Sequence, residues 1–351
     1  MKNLKSREKG QMGKRVQKMA QNEAETVWYH GGTAMQGRSH MQSGMPCQDQ
    51  VQYLNRNGVS AIALADGAGS CNQSETGARV MVQRICEELT DSFDWYLEEK
   101  AEEIRRRLVN RIQKSLSETA WEMNCYVMDL SSTLLAAAVC GDQFLAVHIG
   151  DGVIGCMRDG ELDVLSEPMN GEFKNQTYFT TFPDLRRVLR IYRGNLDGRT
   201  GFVLMSDGPS GCFYNEGTGT FSRAAAGILQ YMSTYREDVA QQELEKCFRN
   251  VILPRTTDDC SLICLVSSKN FKGLRGMEKP EKKEIFGERG RDLKTGNRLI
   301  ETLSTEQFSS LSRLAGRAHV REERMKDFLG MLQEQNLVEE KDGRYRLLVH
   351  P

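Results

Sequence analysis

Four apolar runs in this chain each carry an aspartate at a turn on one end. They are Asp66 in Ala-Leu-Ala-Asp-Gly-Ala-Gly-Ser, Asp151 in Val-His-Ile-Gly-Asp-Gly, Asp207 in Val-Leu-Met-Ser-Asp-Gly and Asp258 in Thr-Thr-Asp-Asp-Cys-Ser-Leu-Ile-Cys-Leu. Runs this short, bounded by Gly and Asp, read as buried β-strands rather than helices. A carboxylate at the mouth of such a strand costs several kcal/mol unless something neutralises it. No Arg or Lys stands beside these four, so a hard divalent cation is the expected neutraliser. Oxygen-only ligands suit magnesium or manganese rather than zinc.

The order of the remaining segments narrows the architecture. Candidate strands Val27–Thr33, Gln50–Asn55 and Val59–Ala65 come first, the last two joined at Asn57-Gly58. Two amphipathic helices follow. The first opens at Ser74 with Ala78, Met81, Val82, Ile85 and Leu89 on one face; the second carries Ile104, Leu108, Ile112 and Leu116, then Ala120, Met123 and Val127. Helices that each bury one stripe are expected to lie on a sheet. Strands then return at Ser132–Cys140, Phe144–Ile149, Val153–Arg158, Glu161–Leu165, Tyr178–Phe182, Val188–Tyr192 and Gly201–Met205. Gly141-Asp142 and Asp159-Gly160 are hairpin signals, which makes neighbouring strands antiparallel. Helical stretches at about 221–232 and 238–251 precede a last strand, Ser261–Val266. The expected fold class is therefore α+β, a four-layer α/β/β/α sandwich of two antiparallel sheets.

The flanks differ. Residues 1–25 contain Lys2, Lys5, Arg7, Lys9, Lys14, Arg15 and Lys18 among few apolar positions and read as a basic, disordered tail. The folded domain is expected over 26–268, a Lys/Arg-rich linker over 269–296 and a small domain over 297–351. In that last part Ser304-x-x-Gln307 resembles a capping box opening a helix with Phe308, Leu311 and Leu314 inward. A second helix runs from about Arg321, and Asp342-Gly343 turns a final hairpin. Helix, helix and hairpin resemble a winged helix. Its nine Lys/Arg balance nine Asp/Glu from Asn297 to Pro351, so a protein partner is expected there rather than nucleic acid.

The ten cysteines lie between Cys47 and Cys264 without a CxxC pair, the pattern of a reducing compartment. A net charge of −1 gives no electrostatic case for an anionic membrane. The N-terminus lacks the apolar core of a secretion signal, and no run approaches the ~20 apolar residues of a membrane span. The expectation is a cytoplasmic protein.

Residues 27–267 resemble the metal-dependent protein phosphatase 2C family, in particular its bacterial members. The resemblance rests on Gln48-Asp49 before the first hairpin, Asp66-Gly67-x-Gly69, Ser132-Thr133, Gly150-Asp151, Ser206-Asp207-Gly208 and Asp258-Asp259-x-Ser261, in this order along the chain. It implies a phosphoprotein Ser/Thr phosphatase acting on the product of a Ser/Thr kinase, with two or three Mn2+ or Mg2+ ions. By the same resemblance Asp66 bridges two ions and the Gly67 carbonyl binds one of them. Asp207 and Asp258 complete the first shell, Asp49 holds the second ion through water, and Asp151 with Asp207 matches a third position. Ions roughly 3.5–4 Å apart activate a water and screen the phosphoryl charge, so no side-chain nucleophile is needed.

Three positions depart from the family pattern. Ala68 stands where many members have a His, Gly44 where many have a phosphate-clamping Arg, and Gln48 where Glu is usual. Arg38 and His40 are the candidates for the missing phosphate contact, and Glu172, Asn175 and Thr177 cluster where the family has a flap. His148, inside an apolar run, reads as a core histidine. Two further readings stand beside the enzyme: a catalytically weak phosphatase-like scaffold, and a DNA-binding regulator.

Overall fold

The computed structural model of the protein describes residues 26–169, 177–268, 274, 277, 279–306 and 308–350. The tail expected over 1–25, and Glu172, Asn175 and Gln307, lie outside the described residues.

Two five-stranded sheets make up the main body. Strands β1 (Trp28–Met35), β2 (Gln50–Arg56), β3 (Val59–Ala65), β4 (Leu134–Cys140), β5 (Gln143–Ile149), β6 (Val153–Arg158), β7 (Glu161–Ser166), β8 (Arg190–Asn195), β9 (Arg199–Met205) and β12 (Cys260–Ser267) form them, while β10 (Tyr214–Asn215) and β11 (Thr220–Phe221) pair separately as a short ribbon. One sheet has the order β1-β12-β9-β6-β7 and the other β2-β3-β4-β5-β8. Every pairing in both is antiparallel. The turn chemistry explains the registers: Asn57 and Gly58 take φ of 57° and 77°, and Asp159 and Gly160 take 51° and 83°. Such left-handed pairs match the twist of a two-residue hairpin.

Side-chain alternation sorts the packing. In β3, Ile62 and Leu64 join Leu135, Phe202, Leu204, Ile263 and Leu265 in a core drawn from both sheets. The opposite face, Ala61, Ala63 and Ala65, packs with Met81, Ile85, Leu89, Leu108 and Ile112. Those residues come from two helices, Ser74–Glu98 and Ala101–Met123; the second ends where Asn124 turns left-handed, so Met123 and Val127, expected on its buried stripe, are exposed instead. On the other sheet Val203, Met205, Leu262 and Cys264 pack with Leu229, Met232, Ala240 and Leu244 of helices Arg223–Thr234 and Glu237–Cys247. Strand β3 is buried throughout because both of its faces are covered.

Four local expectations are corrected. Tyr178–Phe182 forms no strand: Tyr178 and Phe182 meet edge to face with centroids 4.9 Å apart and lean on the first helical layer. The segment around Val188 starts as a helical turn, Leu185–Val188, and its strand begins at Arg190. The expected linker contains helix Lys279–Phe286 and the first turns of helix Gly290–Thr305. Ser304 therefore ends a helix, its hydroxyl donating to the Ile300 carbonyl at 2.5 Å, and the next helix, Leu311–Ala318, is capped by Ser310.

The C-terminal part adds helix Glu322–Glu334 and a sheet ordered β13 (Ser309–Ser310), β15 (Arg344–Leu347), β14 (Val338–Lys341). It holds its own apolar cluster, including Phe286, Leu303, Leu314, Phe328, Leu329 and Tyr345. Its last residues join it to the main body. Arg236 N–H donates to Leu348 O at 2.8 Å, His350 N–H to Thr234 O at 2.9 Å, and the His350 ring stacks on Tyr29 at 3.6 Å.

Candidate metal centre

The strand mouths that carry the aspartates lie at one end of the paired sheets. Asp66 follows β3, Asp49 precedes β2, which pairs with β3 there through Gln50 and Ala65, and Asp207 lies just beyond β9. Asp151 lies between β5 and β6, and Asp258 precedes β12.

Backbone contacts hold this end rigidly. Asp66 N–H donates to Thr133 Oγ1 and Thr133 N–H to Asp66 O, both at 2.8 Å, so Thr133 clamps Asp66 from both sides. A Cβ on Gly67 would meet Ser74 at 2.8–2.9 Å, and one on Gly208 would lie 1.9 Å from the Asp259 carbonyl oxygen. Gly is required at both because backbone approaches that closely.

A cavity of about 160 Å³ opens here, lined among others by Asp66, Asp151, Asp207, Asp258, Gly67 and His40. Asp207 and Asp258 stand at its solvent-open mouth, Asp66 and Asp151 are half-buried, and Asp49 is 1% exposed beneath them. Asp49 Oδ2 accepts from Ser206 Oγ at 2.9 Å, while Asp49 Oδ1 and the buried Gln48 Oε1 have no hydrogen-bond partner.

The electrostatics are one-sided. Burial, followed by the charges of Asp49, Asp207, Asp151 and Asp258, pushes the Asp66 carboxyl well above the usual carboxylate range. Burial raises Asp49 to about 7, against the hydrogen bond from Ser206. Asp207 rises to about 6 through withdrawal from bulk water and then through Asp151 and Asp258. Asp151 is raised by burial, with Thr177 Oγ1 donating to its Oδ2 as the main opposing contact. Among the described residues no three His, Cys, Asp or Glu side chains converge as a ready ligand set. The acids meet pairwise instead, Asp66 with Asp49 and with Asp207. Two carboxylates in contact share a proton or a cation. The unpartnered Asp49 and Gln48 oxygens, the close Gly67 backbone and the absence of sulfur among the described residues of the cavity wall fit a hard divalent ion such as Mn2+ or Mg2+.

The two phosphate candidates part company. His40 lines the cavity with its Nδ1 2.9 Å from Asp259 Oδ2. Arg38 is exposed, and its Nε donates to the Thr256 carbonyl at 3.1 Å. Both belong to a short helix, Arg38–Ser43, that the sequence pattern does not announce. His148 is fully buried, bonded through Nδ1 to Ser166 Oγ at 2.6 Å and lowered to about 3 by burial, as a core histidine should be.

Sequence reasoning missed Asp259. Beside Asp258 it reads as the second half of a solvated acidic corner. In fact it is 3% exposed, and its carboxylate accepts from Gly37 N–H and Gln48 N–H, each at 2.6 Å. It thereby ties the segment carrying His40 and Asp49 to the start of β12. Its partners lie more than two hundred residues away, and no local pattern announces them.

A family model described as "Protein phosphatase 2C" matches residues 36–249. The chain belongs to the protein phosphatase 2C family. Asp49, Asp66, Asp151 and Asp207 lie within that match, and Asp258 lies just beyond it. Among curated proteins, "Serine/threonine-protein phosphatase 3" of Escherichia coli (strain K12) is 29% identical over 153 residues, 42% of this chain and 60% of that protein. The chain thus spans about 60% of the length of the curated relative it matches. Among solved structures, a serine/threonine phosphatase of S. agalactiae aligns at 17% identity and a TM-score of 0.48, over 68% of this chain and 99% of that one. The catalytic domain of the phosphatase PstP, solved with two manganese ions, aligns at 18% identity and a TM-score of 0.48, over 69% and 99%.

Proposed function

We propose that the protein is a phosphoprotein Ser/Thr phosphatase dependent on Mn2+ or Mg2+. One observation carries the proposal: Asp66, Asp151, Asp207 and Asp258 line one open cavity above the buried Asp49, and the largest charges acting on Asp66 are those carboxylates. Asp66, the Gly67 carbonyl, Asp207 and Asp258 would hold one ion, Asp49 a second, and Asp151 with Asp207 a third. Bound divalent ions supply positive charge that lowers the pKa of water and neutralises phosphoryl oxygens. The chain's own part is positional. Thr133 holds Asp66 in place, Ser206 orients Asp49, and the Asp259 carboxylate stands 2.9 Å from His40 Nδ1 beside the cavity. Arg38 remains a candidate only for the outer rim.

The layers follow the four-layer α/β/β/α sandwich. The C-terminal helices and hairpin serve as a winged-helix-like module for a protein partner. The substrate is the product of a Ser/Thr kinase, in the cytoplasm. No helix among the described residues is long and apolar enough to cross a membrane. Gly44, Gln48 and Ala68, with the lack of a ready three-ligand set among the described residues, favour one alternative, a scaffold with little turnover.

Phosphate release from a phosphothreonine peptide, with and without manganese, separates the two. The enzyme reading expects manganese-dependent turnover that Asp207→Asn lowers by about 100-fold or more, as removal of one electrostatic stabiliser does elsewhere. No turnover, and no change on that substitution, assigns the scaffold role.

A further inference from the structure

Five large apolar side chains stand in solvent within the span 121–128: Trp121 (87% exposed), Met123 (39%), Tyr126 (81%), Val127 (38%) and Met128 (58%). Contiguous exposed apolar surface of this kind marks an interaction site. The backbone beneath it is held from several sides. Asn124 ends helix Ala101–Met123 in the left-handed region at φ 52°. Cys125 N–H donates to Ala120 O at 3.0 Å, and the Asp129 carboxylate accepts from Tyr126 N–H at 3.0 Å. Gln73 N–H donates to Asp129 O at 3.1 Å, and a Cβ on Gly77 would lie 2.0 Å from the Leu130 carbonyl oxygen. Side chains displayed on so fixed a backbone lose less freedom when a partner covers them.

A short hydrogen-bonded path joins the patch to the wall of the cavity. Ser131 Oγ donates to Met128 O at 2.7 Å, and Ser131 O accepts from Ala68 N–H at 2.9 Å. Ala68 is a wall of the cavity, and so is Thr133, two residues beyond Ser131. Three residues of 3₁₀ helix span about 6 Å and paired backbones lie about 5 Å apart, which puts the edge of the patch about 11 Å from Ala68. An extended peptide covers that distance in about three to four residues.

We infer that Trp121, Tyr126 and Met128 form a docking surface for the phosphoprotein substrate, receiving apolar side chains about three to six residues from the phosphorylated Ser or Thr. The inference rests on the phosphatase reading and adds the substrate class to it. The separation to the cavity selects this occupant over a second copy of the chain, because a segment with its phosphate at Asp66 and Asp207 must run out over one of the adjoining walls.

The test uses two fluorescein-labelled phosphothreonine peptides of equal length and charge. One carries Leu and Phe three to six residues to either side of the phosphothreonine, the other Ser. The full chain is compared with Trp121→Ser/Tyr126→Ser/Met128→Ser and with Met331→Ser, a control that removes an exposed methionine on the C-terminal part. With manganese, the parent and the control are expected to favour the apolar peptide about tenfold in kcat/KM, mostly through KM, each value normalised to p-nitrophenyl phosphate turnover. The triple variant should bring the ratio close to one. An unchanged ratio in the triple variant overturns the inference. So does an unchanged ratio accompanied by conversion of a dimer to a monomer in light scattering, which would assign the patch to self-association. If the parent turns over neither peptide nor p-nitrophenyl phosphate, the phosphatase reading has failed. Fluorescence anisotropy then decides the patch on the same tenfold criterion in Kd: preference lost in the triple variant supports docking, and no preference in the parent overturns it.

Discussion

Asp49→Asn is expected to stabilise the metal-free protein at alkaline pH while removing its response to manganese. Asp49 is 1% exposed and one of its oxygens lacks a partner, so the ionised form is held in the fold at a cost. Burial raises its carboxyl from 3.8 to about 7. At pH below the unfolded value of 3.8 the group is neutral in both states and contributes no penalty. Between that value and about 7 the folded protein keeps a proton that the unfolded chain has released, so stability falls as pH rises through the window. Above it the loss is complete. A shift of about three pH units corresponds to about 4 kcal/mol as a ceiling; because Asp66 shares the proton, a gain of about 1–3 kcal/mol for Asn is the working figure. Asn keeps an oxygen for the Ser206 hydroxyl and offers an amide N–H to the Asp66 carboxylate. At about 2–4 °C per kcal/mol, the melting temperature in EDTA should rise by roughly 2–12 °C at pH about 8.5, and by less and less as pH is lowered to about 5. Manganese should raise the melting temperature of the parent most at the alkaline end and leave the variant nearly unmoved. Scanning fluorimetry across that range, with EDTA or manganese, measures both. A variant less stable than the parent at pH 8.5, or a gap that does not change with pH, refutes the argument that crowded, uncompensated carboxylates dominate this end of the fold.

Asp259→Ala should destabilise the protein by about 2–5 kcal/mol in urea unfolding, because it orphans the buried N–H groups of Gly37 and Gln48 and frees His40. A loss under 1 kcal/mol would show that water replaces the carboxylate without cost. Gly208→Ala forces a methyl against the Asp259 carbonyl oxygen, so it should cost about 1–3 kcal/mol and lower manganese affinity by displacing Asp207. Calorimetric titration with manganese checks the second effect, and an unchanged affinity would place Asp207 outside the ion's reach.

Local chemistry made much of this protein legible before any coordinates. Asn57-Gly58, Asp159-Gly160 and Asp342-Gly343 have left-handed backbone that only a few residue types accept, so those hairpins and their registers follow from the residues alone. The stripes Met81, Ile85, Leu89 and Leu108, Ile112, Leu116 announced helices for the same reason, since a 3.6-residue period buries one face. The aspartates at strand mouths were legible because a charge next to an apolar run calls for a neutraliser. Tyr178–Phe182 shows where alternation misleads. Its aromatic rings are half-buried against the core between the sheet and the two long helices, and Thr180 N–H donates to Ser132 O at 2.8 Å in place of a ladder.

What the chain determines by itself is which segments are strands or helices and where acidic residues meet turns, because those preferences act over a few consecutive residues. Only the folded structure decides that Asp259 is a buried tie while its neighbour Asp258 faces the cavity, that His40 lines the wall while Arg38 turns to the Thr256 carbonyl, and that Met128 is tied through Ser131 to Ala68 of the cavity wall. These outcomes depend on contacts across 50 to 250 residues, and burial, which assigns the roles, exists only once the sheets have closed.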